Sequence, residues 1–219
     1  MKYSTLKSSY KKFSHTEGNQ YIASEYAILK LAQAIKKFKI KNILEVGLGI
    51  GSIAGSILKA TEPDEVSLYS GVENNSFCLN SLPANLGVEY NRLSIYPELK
   101  YVSYNNLYDL IIIDGKDTNI ETVKRFISQH GVIAIEGDRS LQQKTLQSFF
   151  PKQINVHCIS REKNKSYSPF PHHNWQCGVK FIFIEPTVRQ YIWWIKEKIF
   201  TKLKYIHRRR RKSNLLHLF

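Results

Sequence analysis

Three runs of branched apolar residues constrain this chain most: NILEV at 42–46, LYDLIIIDG at 107–115 and VIAIEGD at 132–138. None alternates polar with apolar, as a strand does when one face meets water, so each must be covered on both sides. Helical patterns lie between them. Residues 20–38 place Ile22, Tyr26, Leu29 and Ile35 at helical spacing, and SIAGSILKA predicts a helix after the first strand. EVSLYSGVE (65–73) reads as a second strand followed by the helix NNSFCLNSL, and VEYNRLSIY (88–96) as a third strand. TNIETVKRFISQHG (118–131) predicts a helix ending in a glycine cap. Such alternation predicts an α/β fold with a doubly wound, mostly parallel sheet. The last two strands, within 153–160 and 179–185, have only a polar loop between them. Without a crossover helix they are expected to pair antiparallel, as a terminal hairpin.

With 219 residues, 42% of them hydrophobic, the chain suffices for one domain with a real core. Cys78, Cys158 and Cys177 are odd in number and form no CxxC pair, which argues against a disulfide framework or zinc ribbon and for a reducing cytoplasm. The N-terminus is basic and polar, without the apolar middle of a secretory signal. No run of about 18 apolar residues is present to span a bilayer.

The net charge of +14 is concentrated at the ends. Residues 187–219 carry ten Lys/Arg and one Glu, and residues 1–12 carry four Lys, which leaves +1 for 13–186. Three segments follow: a basic N-terminal segment at 1–16, a nearly neutral body at 17–186 and a basic amphipathic tail at 187–219. A neutral body argues against a cleft that grips nucleic acid throughout, and for ends that meet an anionic surface.

EVGLGIGSIAG (45–55) holds four glycines directly after the first strand. Gly47, Gly49 and Gly51 remove side chains where a ligand would approach, and the following helix offers free amide donors. Glu73, at the tip of the second strand, is placed to accept both hydroxyls of a ribose. A dinucleotide site wants G-x-G-x-x-G, whereas this loop is G-x-G-x-G with Glu45 two residues before it. A carboxylate there repels pyrophosphate and suits a ligand with a free ammonium.

E-x-G-x-G-x-G after the first strand, an acid after the second and DLIIIDG as the fourth resemble the class I S-adenosylmethionine-dependent methyltransferases, over roughly residues 17–185. The resemblance implies a seven-stranded Rossmann-like sheet with an antiparallel seventh strand. It implies S-adenosyl-L-methionine as cofactor, with Gly47, Gly49 and Gly51 facing its methionine portion, Glu45 binding its ammonium through water and Glu73 its ribose. Asp114 is included among the cofactor-binding residues. The family's acid or amide for adenine has no clear equivalent in SIYPEL; either Ser94 substitutes, or backbone and apolar contacts hold the adenine. Glu17-Gly18-Asn19-Gln20 corresponds to a segment that folds over the cofactor in related families.

Catalytic groups are expected at the strands' carboxyl ends. Asp114, Lys116 and Asp117 stand there after the fourth strand, and Glu136, Asp138 and Arg139 after the fifth. Asp114, Glu136 and Asp138 are the catalytic candidates. The pattern is similar to catechol-type small-molecule O-methyltransferases, whose divalent cation is held by an Asp after strand four and an Asp-Asn pair after strand five. Asp114 matches the first; Glu136-Gly137 replaces the pair. Mg²⁺ would suit these oxygen ligands, but the set is incomplete and no metal ligand is assigned. His172, His173 and Cys177 lack a fourth ligand for zinc. They read as polar loop residues, or as a substrate loop with a histidine base.

The expected activity is methyl transfer to a small-molecule or lipid-linked acceptor, at oxygen. The alternatives are an RNA methyltransferase, disfavoured by IDGKD where a base-gripping D/N-P-P-Y motif would stand, and a non-catalytic membrane-associated protein that keeps the fold. The tail beyond Pro186 predicts one helix. Val188, Ile192, Ile195, Ile199, Leu203 and Ile206 form one apolar stripe expected to dock on the body, with Trp193 and Phe200 left on the opposite face. Flanking cations up to Lys212 make 188–212 a candidate for an anionic membrane surface, so the expected location is cytoplasmic, peripheral on the inner membrane face. Nucleic acid fits less well, since nothing base-reading accompanies the charge. A solvated extension without a partner and a homodimer through the aromatics are further readings.

Overall fold

The computed structural model describes residues 1–115, 119–137 and 139–216, with side chains through 209. In chain order the elements are α1 (Tyr3–Phe13), α2 (Glu25–Phe38), β1 (Asn42–Val46), α3 (Ser52–Ala60), β2 (Leu68–Val72), α4 (Ser76–Leu86), β3 (Leu93–Tyr96), β4 (Tyr108–Ile113), α5 (Val123–Phe126), β5 (Ile127–Glu136), α6 (Ser140–Ser148), β6 (Ile154–Cys158), β7 (Val179–Phe183) and α7 (Val188–Leu216). Among the described residues one seven-stranded sheet has the order β3-β2-β1-β4-β5-β7-β6. β7 pairs antiparallel with both β5 and β6, and the other strands run parallel.

The apolar runs are continuous because the sheet has a core on each face. Leu110 and Ile112 of β4 join one hydrophobic cluster with α1, α2, α3 and Trp193. Ile111 and Ile113 join the other, with Val123, Phe126 and Leu146. Successive side chains of one strand thus enter opposite layers. The sheet and its terminal hairpin agree with the sequence expectation.

Three expectations are corrected. Of the segment expected as a helix, residues 119–131 are mostly not α-helical: α5 is a single turn, and β5 already begins at Ile127, paired with Tyr108 of β4. His130 Nδ1 lies 2.6 Å from Glu185 O, and Gln129 Nε2 donates to Glu185 Oε2 at 3.0 Å, so partners across the sheet hold this stretch extended. Gly131 is a strand residue, not a cap. The third strand is shorter than 88–96, because Gly87–Arg92 forms a 3-10 turn before Leu93. The apolar stripe of α7 does not dock: Trp193 is the buried side chain, and the stripe faces outward.

That inversion has a physical cause. The hairpin offers α7 the rings of Phe181 and Phe183, and with Phe38 they surround Trp193 at centroid distances of 5.3 to 5.7 Å. The same face of α7 carries Glu197, buried and ion-paired with Lys30 of α2 at 2.7 Å. An indole brings more apolar area than any single aliphatic residue of the stripe. The N-terminal segment, read only as basic, forms α1, whose Leu6, Tyr10 and Phe13 are buried in the core.

Candidate functional site

The glycine loop is set by its backbone. Gly47, Gly49 and Gly51 have φ of +90°, +53° and +86°, the left-handed region that side chains resist. A Cβ on Gly47 would lie 2.4 Å from the amide nitrogen of Gly115, so the loop after β1 and the end of β4 approach each other backbone to backbone. A Cβ on Gly51 would lie 2.4 Å from Leu86 Cδ1 in α4. At Gly49 a Cβ would meet nothing within 4 Å: this glycine borders open space.

That space is a cavity of about 420 Å³ at the carboxyl ends of β1, β2 and β4. Gly47, Gly49, Glu73 and Asp114 all line it. Glu73 Oε2 accepts the Gly49 amide at 2.7 Å, while Oε1 accepts from the amides of Asn74 and Asn75 at 3.0 and 2.8 Å. The carboxylate is thereby fixed beside the loop. Gly51 does not line the cavity; it packs the loop against α4.

Glu45 lies beneath the loop and is fully buried, not part of the cavity wall. Its Oε2 accepts a short hydrogen bond from the Tyr69 hydroxyl, and its Oε1 is without a partner. Burial pushes its carboxyl up to about 8, against the lowering effect of the Tyr69 bond. An orphaned oxygen on a buried carboxyl is a place for a donor not supplied by the chain itself.

Asp114 follows β4 and Glu136 ends β5, the neighbouring parallel strand. Burial raises both carboxyls; Glu136 and then Glu45 raise Asp114 further, and Arg139 opposes them. Arg139 Nη2 donates to Asp114 Oδ1 at 3.3 Å and also to the Asp114 carbonyl. The structure therefore sets Asp114 and Glu136, from neighbouring strands, beside one guanidinium, with Glu45 of β1 close enough to raise Asp114. Asp138, Lys116 and Asp117 lie outside the described residues. Among the described residues no group of His, Cys, Asp and Glu has the arrangement to hold a metal ion.

Gly18, Gln20, Tyr21 and Ile22 form one wall of the cavity, so part of the 17–20 segment covers it. Ser94 is exposed and does not line it. In its place stand Asn75, Phe77 and Cys78 at the start of α4, which the sequence reading did not single out. Asn75 was legible as a helix cap, since its Oδ1 accepts the Cys78 amide at 3.1 Å. Nothing local marks Phe77 as a wall residue. His172, His173 and Cys177 are exposed and do not line the cavity; the Cys177 carbonyl accepts from Ser24 Oγ.

Solved structures share this architecture. An O-methyltransferase from Bacillus cereus in complex with SAH superposes with a TM-score of 0.59 at 14% identity, over 84% of this chain and 92% of that one. The fold is the Rossmann-like methyltransferase fold. SAH-bound methyltransferase PaMTH1 from Podospora anserina gives 0.57 at 14% identity, over 82% and 87% of the two chains. The O-methyltransferase TomG from Streptomyces achromogenes, in complex with SAM, gives 0.54 at 10% identity over 83% and 88%. No protein-family profile and no curated protein matches the sequence. In a methyltransferase fold the cavity described above lies at the topological switch between β1 and β4, where open α/β sheets bind ligands.

Proposed function

We propose that this chain transfers a methyl group from S-adenosylmethionine to a small-molecule or lipid-linked acceptor, at oxygen. The observation that carries the reading is the bond from the Gly49 amide to Glu73 Oε2 at the edge of an open cavity. It fixes a carboxylate that already accepts three amides and has one acceptor position left, on Oε2, for a ligand hydroxyl. The cradle at Gly49 is free of side chains. Phe77, Tyr21 and Ile50 give the cavity apolar walls for a flat base.

When bound, the cofactor supplies a methyl group already activated on a positively charged sulfur. The chain's task is then alignment and removal of a proton. Asp114 lines the cavity, and burial raises its carboxyl as it does that of Glu136 behind it, so Asp114 is the group placed to take the proton of an acceptor hydroxyl. Arg139 orients Asp114 and offsets the charge that gathers on the pair. The O-methyltransferases among the structural neighbours support oxygen as the accepting atom. The free thiols of Cys78, Cys158 and Cys177 support a reducing, cytoplasmic setting.

The test is calorimetric titration with S-adenosylhomocysteine and, in parallel, with NAD⁺. Binding of the first alone is expected. Binding of NAD⁺ alone would sink the reading. Labelled methyl transfer to a panel of phenols and hydroxylated lipids then identifies the acceptor class.

A further inference from the structure

The outward face of α7 is unpartnered and has a defined chemistry. Val188, Ile192, Ile195, Ile199, Leu203 and Ile206 are 42 to 78% exposed and fall within one strip along the helix. Lys196, Lys198, Lys202 and Arg209 are exposed beside them. The only acid of residues 187–219 is Glu197, and it is turned inward onto Lys30. Every exposed charge of the described part of α7 is therefore positive. Ile199 and Ile206, with Lys198, Lys202 and Arg209, line a shallow depression on this face.

We infer that α7 is an in-plane anchor that lays this strip into the surface of an anionic lipid bilayer. Six aliphatic side chains in a row are an apolar patch that a solvated helix has no reason to carry. Cations along both edges reach the headgroup phosphates while the aliphatic groups enter the acyl boundary. Pairing two copies through the strip would set lysine against lysine at its edges, which disfavours a self-contact. RNA would use the cations but leave the aliphatic row in water. No described helix is long and apolar enough to cross a membrane, so the anchor lies on the surface.

The helix also has a direction. Gln190 binds the His130 carbonyl near the start of β5, Thr201 the His157 carbonyl, and Arg208 the Ser160 carbonyl just past the end of β6. Since β6 runs parallel to β5, the basic end of α7 arrives at the sheet edge where the glycine-loop cavity opens. Membrane attachment would bring that edge to the lipid surface. The attachment itself does not depend on the methyl-transfer reading.

Vesicle flotation of the full chain tests the inference, using phosphatidylcholine alone against phosphatidylcholine with one third phosphatidylserine. Binding to the anionic vesicles is expected, weakening as salt shortens the screening length. Ile195→Asp and Leu203→Asp, at exposed positions, should each lower vesicle partition at least about tenfold while thermal midpoint and S-adenosylhomocysteine affinity stay unchanged. Absence of binding to anionic vesicles overturns the inference, as does equal binding by the Asp variants. A dimer in sedimentation velocity that Leu203→Asp abolishes, without vesicle binding, would assign the strip to a second copy. RNA retention without vesicle binding would assign the cations to nucleic acid. Either result replaces the membrane reading.

Discussion

Glu73 Oε2 accepts the amide of Gly49 at 2.7 Å, tying the tip of β2 to the middle of the glycine loop. A charge-assisted bond of this kind contributes about 1.5–3 kcal/mol. Glu73→Ala should therefore weaken S-adenosylhomocysteine binding by about tenfold to a hundredfold in calorimetry. An unchanged affinity would separate the loop from the ligand.

The three loop glycines should fail in different ways. Gly49→Leu projects its side chain into the cavity, so ligand affinity should vanish while the left-handed backbone costs only about 1–2 kcal/mol of stability. Gly47→Ala must push its Cβ into the Gly115 backbone, so the loss should appear in thermal unfolding, at about 3 kcal/mol or more. If both variants lost affinity with equal stability, the assignment of open space at Gly49 would be wrong.

Glu45 carries a pH prediction. Its carboxyl titrates at about 8 in the folded protein, above its ordinary value, so the folded state holds a proton that the unfolded chain has released. Stability should then fall as pH rises from about 5 to 8, by up to roughly 1.4 kcal/mol per pH unit. Burial of Asp114 and Glu136 acts in the same direction. Glu45→Gln keeps an acceptor for Tyr69 and should flatten the decline. Denaturant midpoints at both ends of the range provide the measurement; a rising midpoint in the wild type contradicts it.

The docked face of α7 should dominate its attachment. Trp193→Ala removes a ring packed against Phe38, Phe181 and Phe183 and should cost about 3–5 kcal/mol. Glu197→Gln leaves the buried Lys30 charge uncompensated, at about 3–5 kcal/mol. Ile199→Ala, on the exposed strip, should change stability by less than about 0.5 kcal/mol. Urea unfolding of the three variants decides the order.

The parts of the site that the chain spells out locally were readable. Gly47, Gly49, Glu73 and Asp114 each follow a strand, and a parallel sheet brings its carboxyl ends to one edge. Phe77 and Tyr21 were not readable as walls, because they meet the cavity through the packing of α4 and of the segment before α2. Nor could sequence foresee that Tyr69 would hold Glu45 below the loop instead of at its surface.

By itself the sequence determined the doubly wound sheet, the terminal hairpin and the glycine loop, since each rests on periodicity or on residues adjacent in the chain. Only the tertiary structure decided where 118–131 gives way to β5 and which face of α7 turns inward. Helical spacing says that a strip is apolar, but burial goes to the face with the better partner. Here Phe181, Phe183 and Lys30 were that partner, brought together by one strand and one helix far apart in sequence, and they took Trp193 and Glu197 and left the aliphatic strip outside.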